Sequence, residues 1–524
     1  MAEFSNNRKL GNRSTDFVSV KDFGAVGDGV TDDTAAIQAA IDYASGLGGF
    51  QRKVVWFPAG DYQITELTWA TEVSLIGEDW RNTRLTGTGG AGTKMIKAPS
   101  GSFGGAIQVL SGFSFIPDGV QVVNGIDLTD ASNVNGCYFD KLWFNNCDDC
   151  MTIGNTSGGK GFGDIWIGDI VVEQSNNGLI MENGDDLILG SLLGTRLDEF
   201  GVKFDTVKKS MLGPIRLVEA GGATSSNAAM RFASCDRITS SQSIIRQLSV
   251  SASPSYTLAV ISACTRMKFD NFEWGGESGS NNDTEEGLKI IGVCDDLKFS
   301  NGTIKDVIEI DTGHGIEVGD GTNAVTNCVF NNVHTETTGG NGWTQAANAD
   351  LEMIGCSTSN PMVGSVAGTR AGWDFTSGGN TTVIGGKVSG SNITAGHGIN
   401  CTNNDEKKLI GIRADDGITA TGDVRVFVSD CDTGGNGNLA QTVTSTINPG
   451  GIAAGAEYST TVTLTGAKTQ DAVLWSAGTG TLDELQVTVH VSGNDTVAIE
   501  IHNPTAGTIT PASATWTFKL VKLS

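Results

Sequence analysis

The sequence predicts an all-β protein: a long single-stranded parallel β-helix, in which one chain winds into stacked turns, followed by a C-terminal antiparallel β-sandwich. Glycine-led apolar segments recur between about Asn135 and Asp430. Glycine is abundant, with 72 of 524 residues, whereas proline is scarce, with 9. Frequent glycine without proline suits many tight turns between short strands.

The N-terminal region predicts a short amphipathic helix that leads into the first strands. Glycines mark a tight turn before it, either Thr31 or Asp32 is placed to cap it, and its apolar stripe is Ile37, Ala40, Ile41 and Ala44. The strand pattern VVWFPAGDY follows at 54–62. We expect residues 1–15 to be a flexible N-terminus and residues 16–95 to hold the helix and the first coils.

The first repeated column consists of glycine-led apolar strands about 27 residues apart. One irregular turn containing Trp343 is expected between Ile316 and Trp373. The predicted inward positions of this column are Met151, Leu179, Val202, Met230, a position near Leu258, Leu288, Ile316, Trp373, Ile399 and Val426. Units of this length bury their apolar face only by stacking on their neighbours, which favours a parallel β-helix.

A second column runs half a turn out of phase, with segments such as CYFDKLWF, DIWIGDIVV and RMKFDNFEW. Each alternates over three to five residues and ends in Gly, Asn or Asp, as short strands with tight turns do. We therefore expect residues 96–438 to form the β-helix. After a linker at 434–438, residues 439–524 contain longer alternating strands, which predict the sandwich.

Charge and cysteine content exclude several classes of protein. The net charge of −25 and the lack of a basic run argue against a nucleic-acid partner. No apolar run approaches twenty residues, so no membrane insertion is expected. The ten cysteines do not form a disulfide framework, and Cys147 and Cys150 form a lone C-x-x-C without the second ligand pair of a zinc site.

The amino-acid identities in residues 22–41 and 54–62 indicate a protein family more specifically than their periodicity does. D-F-G-A-x-G-D-G-x-T-D-D-T-x-A-I-x-x-A-I, followed by V-x-F-P-x-G-x-Y, resembles the opening of pectate-lyase-like β-helix proteins, in particular bacteriophage tailspikes. The resemblance implies a right-handed β-helix whose N-terminal mouth is capped by the helix. It further implies a homotrimer in the virion tail, made in the host cytoplasm and attached to the phage through an N-terminal part that is short or absent here.

The activity implied by that resemblance is cleavage of bacterial capsular or O-antigen polysaccharide, with the substrate-binding and catalytic site on the β-helix at 96–438. The sandwich at 439–524 looks like the small C-terminal domains that close tailspike trimers, which implies a role in trimerisation or glycan binding. Glycoside hydrolysis needs two carboxylates, about 5 Å apart for retention or ~6.5–9.5 Å apart for inversion. The spacing predicts Glu219 and Glu273 as this pair, two turns apart, with Arg246 on the turn between them. Trp274 is predicted to stack on a sugar ring, and His334 to bind substrate.

A rival cluster lies just before the first column and contains Asp198, Glu286 and His314. Gly313-His314-Gly315 resembles the G-H-G of polygalacturonases, which share the β-helix fold, but the N-T-D triplet of that family is absent here. Gly-His-Gly also recurs at 396–398, which favours a turn that leads into a strand over a catalytic signature.

Two other functions remain open from the sequence: a polysaccharide lyase that acts by β-elimination, and a non-catalytic tail adhesin that only binds glycan. No cofactor is expected. Structural calcium stays open, although neither Asp283 nor the segment from Asp320 reproduces an EF-hand loop.

Overall fold

The structure is a computed structural model, and it describes residues 17–47, 53–119, 121–156, 159–220, 228–246, 256–276, 284–307, 313–361, 371–375, 379–389, 397–402, 406–414, 418–421, 425–429, 442–464, 467–469, 471–477, 482 and 484–521. The flexible segment predicted at 1–15, the linker predicted at 434–438 and Asp283 lie outside these residues. Within them, no helix is long and apolar enough to cross a membrane.

The chain begins with the elements that close one end of the solenoid. A 3-10 helix (Val20–Phe23) and helix α1 (Thr34–Gly46) accompany the first ten strands. These strands are β1 (Val18–Ser19), β2 (Asp28–Asp32), β3 (Lys53–Phe57), β4 (Gly60–Ile64), β5 (Leu67–Thr68), β6 (Val73–Gly77), β7 (Thr83–Gly87), β8 (Lys94–Lys97), β9 (Gly101–Pro117) and β10 (Asn124–Asp127).

The body of the solenoid continues through 25 further strands, β11 to β35. They are β11 (Ala131–Asn145), β12 (Asp149–Ile153), β13 (Gly161–Gly163), β14 (Ile165–Ser175), β15 (Asn177–Asp185), β16 (Leu187–Leu197), β17 (Val202–Leu212), β18 (Ile215–Ala220), β19 (Ala228–Ala233), β20 (Asp236–Ser240), β21 (Ser243–Arg246), β22 (Tyr256–Ser262), β23 (Thr265–Gly275), β24 (Thr284–Ile291), β25 (Cys294–Val307), β26 (His314–Val318), β27 (Val325–Thr338), β28 (Trp343–Gln345), β29 (Ala349–Ser359), β30 (Ala371–Phe375), β31 (Thr381–Ser389), β32 (His397–Thr402), β33 (Glu406–Ala414), β34 (Ile418–Thr421) and β35 (Arg425–Ser429).

All 35 strands belong to one continuous parallel sheet, in which each strand pairs with its counterpart one turn later. The protein is therefore a parallel β-solenoid, as predicted. We call one turn of it a rung, and successive rungs lie about 4.8 Å apart.

Each rung has three faces. Face 1 contains the glycine-led strands, whose aligned inward positions are Met151, Leu179, Val202, Met230, Ala259, Leu288, Ile316, Trp343, Trp373 and Ile399. On the next rung Ile418 pairs with Ile399. The predicted column and its extra rung at Trp343 are confirmed. Val426 was assigned wrongly, because it pairs with Lys407 on another face and Ile418 takes its place.

The predicted second column forms the other two faces. Face 2 comprises segments such as 165–168 of β14 and 267–270 of β23, and face 3 comprises segments such as 170–173 and 272–275 of the same strands. A residue in the left-handed conformation turns the chain between them on three consecutive rungs: Asn271, Asn301 and Asn332, each with φ 54°. Asparagine tolerates this conformation, and Asn332 Nδ2 donates to Asn301 Oδ1 at 3.1 Å.

The predicted amphipathic helix is present as α1, and its stripe of Ile37, Ala40, Ile41 and Ala44 is fully buried. The predicted Asp32 binds the start of the helix, because its Oδ1 accepts a hydrogen bond from the backbone N–H of Thr34 at 2.9 Å. The N-cap residue itself is Asp33, whose side chain does not cap the helix. Instead, the Asp33 carboxylate accepts hydrogen bonds from the backbone N–H groups of Val26 (2.6 Å) and Gly27 (3.0 Å). The D-G-x-T-D-D motif therefore holds the preceding turn against the start of the helix.

The C-terminal region has its own core and a different topology. Its strands are β36 (Thr442–Ile447), β37 (Glu457–Thr463), β38 (Ala472–Ser476), β39 (Gln486–Gly493), β40 (Thr496–His502) and β41 (Ala514–Val521). They form two three-stranded antiparallel sheets, β36-β41-β38 and β37-β40-β39. Trp516, Phe518, Ile499 and Ile501 belong to a hydrophobic cluster separate from that of the solenoid.

Candidate functional site

Face 3 presents two outward columns across consecutive rungs, and most of their members are polar. The first column aligns Arg216, Ile244, Glu273, Thr303, His334 and Ser357. The second column aligns Val218, Arg246, Gly275, Lys305, Glu336 and Ser359. Because strands alternate their side chains, both columns point away from the core.

Glu273 is the centre of an ion-pair network on this face. Its Oε1 lies 3.0 Å from Lys305 Nζ and 3.3 Å from Arg246 Nη2. The Lys305 ammonium and the Arg246 guanidinium lower the pKa of Glu273, against a smaller opposing effect of burial. The structure thus brings the predicted Arg246 and Glu273 together, and it keeps this half-exposed carboxylate ionised at neutral pH.

Glu219 does not share a column with Glu273, so their predicted alignment is wrong. Val218, not Glu219, is level with Arg246, and Glu273 is level with Arg216 through Ile244. Glu219 instead occupies the corner after face 3 in the left-handed conformation, with φ 55°, and its carboxylate lies 3.4 Å from Arg196 Nε.

Asp306 is a carboxylate on this edge that the sequence analysis missed. It follows Lys305 directly, as Glu219 follows Val218, so both occupy the same corner column, and its φ is 56°. Burial is the main effect that raises the pKa of Asp306, and Glu336 adds to it while Lys305 opposes it. No hydrophobic pattern in the sequence marks this corner position.

Trp274 is not available to stack on a sugar ring, contrary to prediction. It is fully buried, and its indole Nε1 donates to Ser243 Oγ at 2.9 Å. Since Glu273 points outward, its neighbour on the strand must point into the core.

His334 faces outward in the column of Glu273, two rungs further along. Both ring nitrogens are engaged by serines of the next rung: Nδ1 and Ser357 Oγ are 2.7 Å apart, and Nε2 and Ser359 Oγ are 3.2 Å apart. These contacts hold both ring nitrogens of His334 against the next rung.

The rival residues Glu286 and His314 lie on adjacent rungs at the start of face 1. Glu286 is buried, accepts a hydrogen bond from Thr257 Oγ1 at 2.7 Å, and forms an ion pair of 2.7 Å with Lys289 Nζ. Lys289 also lies 3.1 Å from Glu317 Oε2, and burial raises the pKa of Glu317 despite this cation.

His314 is tied to the rung above, because its Nδ1 accepts a hydrogen bond from the backbone N–H of Asn341 at 3.0 Å. Asn341 Nδ2 in turn donates to Asp374 Oδ2 at 3.1 Å. The face 1 network therefore consists of side chains that already satisfy one another.

Asp198 is not brought to Glu286. The two residues belong to rungs three apart, which corresponds to about 14 Å along the solenoid axis. Asp198 is exposed, and burial together with Glu199 raises its pKa.

A second acidic group lies near Asp198, around Asn177. Asn177 Nδ2 donates to Asp149 Oδ1 at 2.9 Å and to Glu199 Oε2 at 3.3 Å. Burial raises the pKa of Asp149 to about 6. Nowhere in the described part of the chain do three His, Cys, Asp or Glu side chains form a metal-ligand group.

The N-terminal part of the solenoid matches the model of a known protein family. Residues 17–211 match the family model described as "Rhamnogalacturonase A/epimerase, pectate lyase-like". The resemblance predicted from the N-terminal motif is confirmed by this match.

Curated relatives align over short segments. Mannuronan C5-epimerase AlgE6 of Azotobacter vinelandii is 40% identical over 132 residues, which cover 24% of this chain and 14% of that protein. Alginate lyase 7 of the same organism is 45% identical over 83 residues, covering 16% of this chain and 9% of that protein. The chain thus spans well under two thirds of the length of either relative.

Solved structures similar to this chain include phage tailspikes. The tailspike of E. coli bacteriophage HK620, in complex with a pentasaccharide, aligns with 99% of this chain and 96% of its own at 12% identity and a TM-score of 0.45. The tailspike gp61 of Pseudomonas phage phi297 aligns with 97% and 99% at 12% identity and a TM-score of 0.43.

Proposed function

We propose that the protein is a polysaccharide depolymerase that binds a glycan chain along face 3 and hydrolyses its glycosidic bonds. The observation that carries the proposal is the placement of Glu273 and Asp306 on neighbouring rungs of one edge, with Lys305 between them. Lys305 and Arg246 lower the pKa of Glu273, whereas burial raises the pKa of Asp306. Two carboxyl groups whose pKa values are shifted in opposite directions allow one site to supply both a base and an acid.

In this mechanism Glu273 acts as the base that activates water, and Asp306 protonates the leaving oxygen. Their positions differ by one rung and about three residues along the strand, which separates their Cα atoms by on the order of 10 Å. Side chains that reach toward each other from such positions bring the carboxyl groups into the ~6.5–9.5 Å range of inverting enzymes. Arg246 and Lys305 fix the Glu273 carboxylate and offer further N–H donors to sugar oxygens.

A second candidate, β-elimination or epimerisation of a uronate polymer, is favoured by a different observation. Two cations, Arg246 and Lys305, flank a single outward carboxylate on face 3. A cation neutralises a uronate carboxylate while a base removes the adjacent proton, and the relatives named above are a mannuronan epimerase and an alginate lyase.

The deciding experiment is incubation of the full chain with purified capsular and O-antigen polysaccharides and with alginate, followed by mass analysis. Products heavier than the repeat by one water, with new reducing ends, support hydrolysis. Products with ultraviolet absorbance from a new double bond indicate a lyase. Glycan binding without any chain shortening would contradict the depolymerase and leave an epimerase or an adhesin, which nuclear magnetic resonance of the recovered polymer distinguishes by the configuration of its sugars.

We further propose that the protein works in the tail of a virion. An acidic solenoid that binds surface glycan suits a homotrimeric tail protein of a virion, acting at the bacterial surface. Negative-stain imaging of phage particles labelled with an antibody to this chain tests that location.

A further inference from the structure

His334 lies between two serines on face 3, and one of the two contacts has the geometry of a serine activated by a base. Ring Nδ1 lies 2.7 Å from Ser357 Oγ, and Nε2 lies 3.2 Å from Ser359 Oγ. A neutral imidazole has one protonated and one bare nitrogen, so it donates to one serine and accepts from the other. One serine therefore gives its hydroxyl proton to the ring, as a nucleophilic serine does to its base.

The two distances assign the roles of the serines. Hydroxyl donors form the shorter hydrogen bonds, about 2.7–2.8 Å to oxygen, whereas N–H donors lie about 2.9–3.0 Å from oxygen. The 2.7 Å contact fits Ser357 as the donor to bare Nδ1, and the 3.2 Å contact fits Nε2–H donating to Ser359. Ser359 is then the positioning residue that holds this tautomer. Glu336, level with Ser359 on the rung of His334, supplies a negative charge that stabilises the protonated ring.

This group of side chains is open to solvent. His334, Ser357 and Ser359 are half-exposed, whereas Thr358 between the two serines is buried. All three therefore point away from the core, on the surface that also carries Glu273. His334 lies two rungs, or about 10 Å, from Glu273, and the hydrolysis proposed above uses neither its ring nor the serines.

We propose that Ser357 and His334 form a second active site, which hydrolyses carboxylic esters such as O-acetyl groups on a glycan. Ser357 Oγ attacks the carbonyl carbon while its proton moves to His334 Nδ1. The bond from the carbonyl carbon to the sugar oxygen breaks, and that oxygen takes the proton from His334. Water then attacks the acyl-serine and gives one proton to His334, which returns it to Ser357 Oγ as the carboxylic acid leaves. Water is the only co-reactant.

The choice of a glycan ester rests on the proposed binding of glycan along face 3, because a chain that extends along this face from Glu273 reaches His334 two rungs away. The ester chemistry rests only on the contacts of His334 with the two serines. Failure of the depolymerase and failure of the esterase are therefore separate outcomes.

The first test labels the full chain with a fluorophosphonate, which phosphonylates a serine activated by a base and releases fluoride. Peptide mass analysis is expected to find the adduct on Ser357, and His334→Gln should slow its formation at least about a hundredfold. Ser389→Ala, which removes a hydroxyl level with Ser359 on the following rung, is the matched control and should label normally. No adduct on Ser357, an adduct on Ser359 instead, or an unchanged rate in His334→Gln would overturn the proposal.

The second test measures acetate released by the full chain from 4-nitrophenyl acetate and from O-acetylated polysaccharides. Ser357→Ala should lower release at least about a hundredfold, Ser357→Cys should restore part of it through its thiol, and Glu273→Gln should keep release from the nitrophenyl ester. Undiminished release in Ser357→Ala would overturn the second active site. Release from the nitrophenyl ester with every acetylated polysaccharide left intact would overturn the glycan ester as its substrate.

Discussion

Glu273 acquires its character from two cations that approach the same carboxylate oxygen. An isolated glutamate in that exposed position would titrate near its ordinary pKa, whereas Lys305 and Arg246 favour its charged form. Such a group accepts a proton only at low pH, which fits a base and disfavours the acid role. Asp306, with its pKa raised mainly by burial, has the complementary character.

Removing one cation should therefore change the pH profile of cleavage. Lys305→Met is expected to raise the pKa of Glu273 toward its ordinary value, so the acidic limb of kcat/KM moves to higher pH. Activity is lost as pH falls through the pKa of the base, which fixes the sign of the shift. The control Lys387→Met should leave the limb in place, and an unmoved limb in Lys305→Met would exclude Glu273 as the base.

The raised pKa of Asp149 makes a separate prediction about stability. Burial raises this pKa to about 6 from an ordinary 3.8, so the folded state holds the proton more tightly and loses stability as pH rises from about 4 to above 6. Asp149→Asn should raise the free energy of unfolding at pH 8 by about 1–2 kcal/mol and have little effect at pH 4. Denaturant unfolding at both pH values measures this, and an equal gain at both would refute it.

Individual residues were predictable from sequence only where strand parity was respected. Glu273 and Trp274 are adjacent on a strand, so one faces water and the other faces the core. Only the outward residue of the two can therefore contact substrate. Arg246 and Glu273 were placed together because their rungs are adjacent and regular. Asp306 was missed because a left-handed corner residue has no hydrophobic pattern to mark it.

At the scale of the strand, the inward column of face 1 holds the solenoid together. Leu288 and Ile316 are fully buried on adjacent rungs. Leu288→Asp or Ile316→Asp should abolish soluble folding, since an unpaired buried carboxylate costs several kcal/mol. Val260→Asp, an outward position on the same face level with Lys289, is the matched control and should melt normally. Normal circular-dichroism melting of either inward variant would contradict the inward assignment.

Strand columns follow from the sequence as long as the rungs keep their length. Most aligned steps are close to 28 residues, as from Val202 to Met230, and there the predicted positions hold. The step from Ile399 to Ile418 takes only 19 residues, which is why Val426 was assigned to the wrong face. The predicted alignment of Glu219 was wrong for a related reason. Glu219 lies at the corner after face 3, where the alternation of the strand ends.

At the scale of the whole molecule, the solenoid and the C-terminal sheets have separate hydrophobic cores. Removing residues 440–524 should therefore leave the melting of the solenoid strands unchanged. It should also lower the yield of the proposed homotrimer. Circular dichroism and sedimentation of the shortened chain measure the two effects. A full-length chain that sediments as a monomer would contradict the trimer, and a collapsed solenoid in the shortened chain would contradict the independence of the cores.

If Glu273 is the base with which face 3 cleaves glycan, its amide variant loses cleavage while variants at Glu219 and Glu286 keep it. Glu273→Gln keeps the shape of the side chain but cannot take a proton, so the release of new chain ends from a cleaved polysaccharide should fall at least about a hundredfold while glycan binding persists. Glu219→Gln, at the corner outside the column of Glu273, should retain cleavage, and Glu286→Gln tests the rival face. Full activity in Glu273→Gln, or its loss in Glu286→Gln alone, would contradict the assignment of the site to face 3.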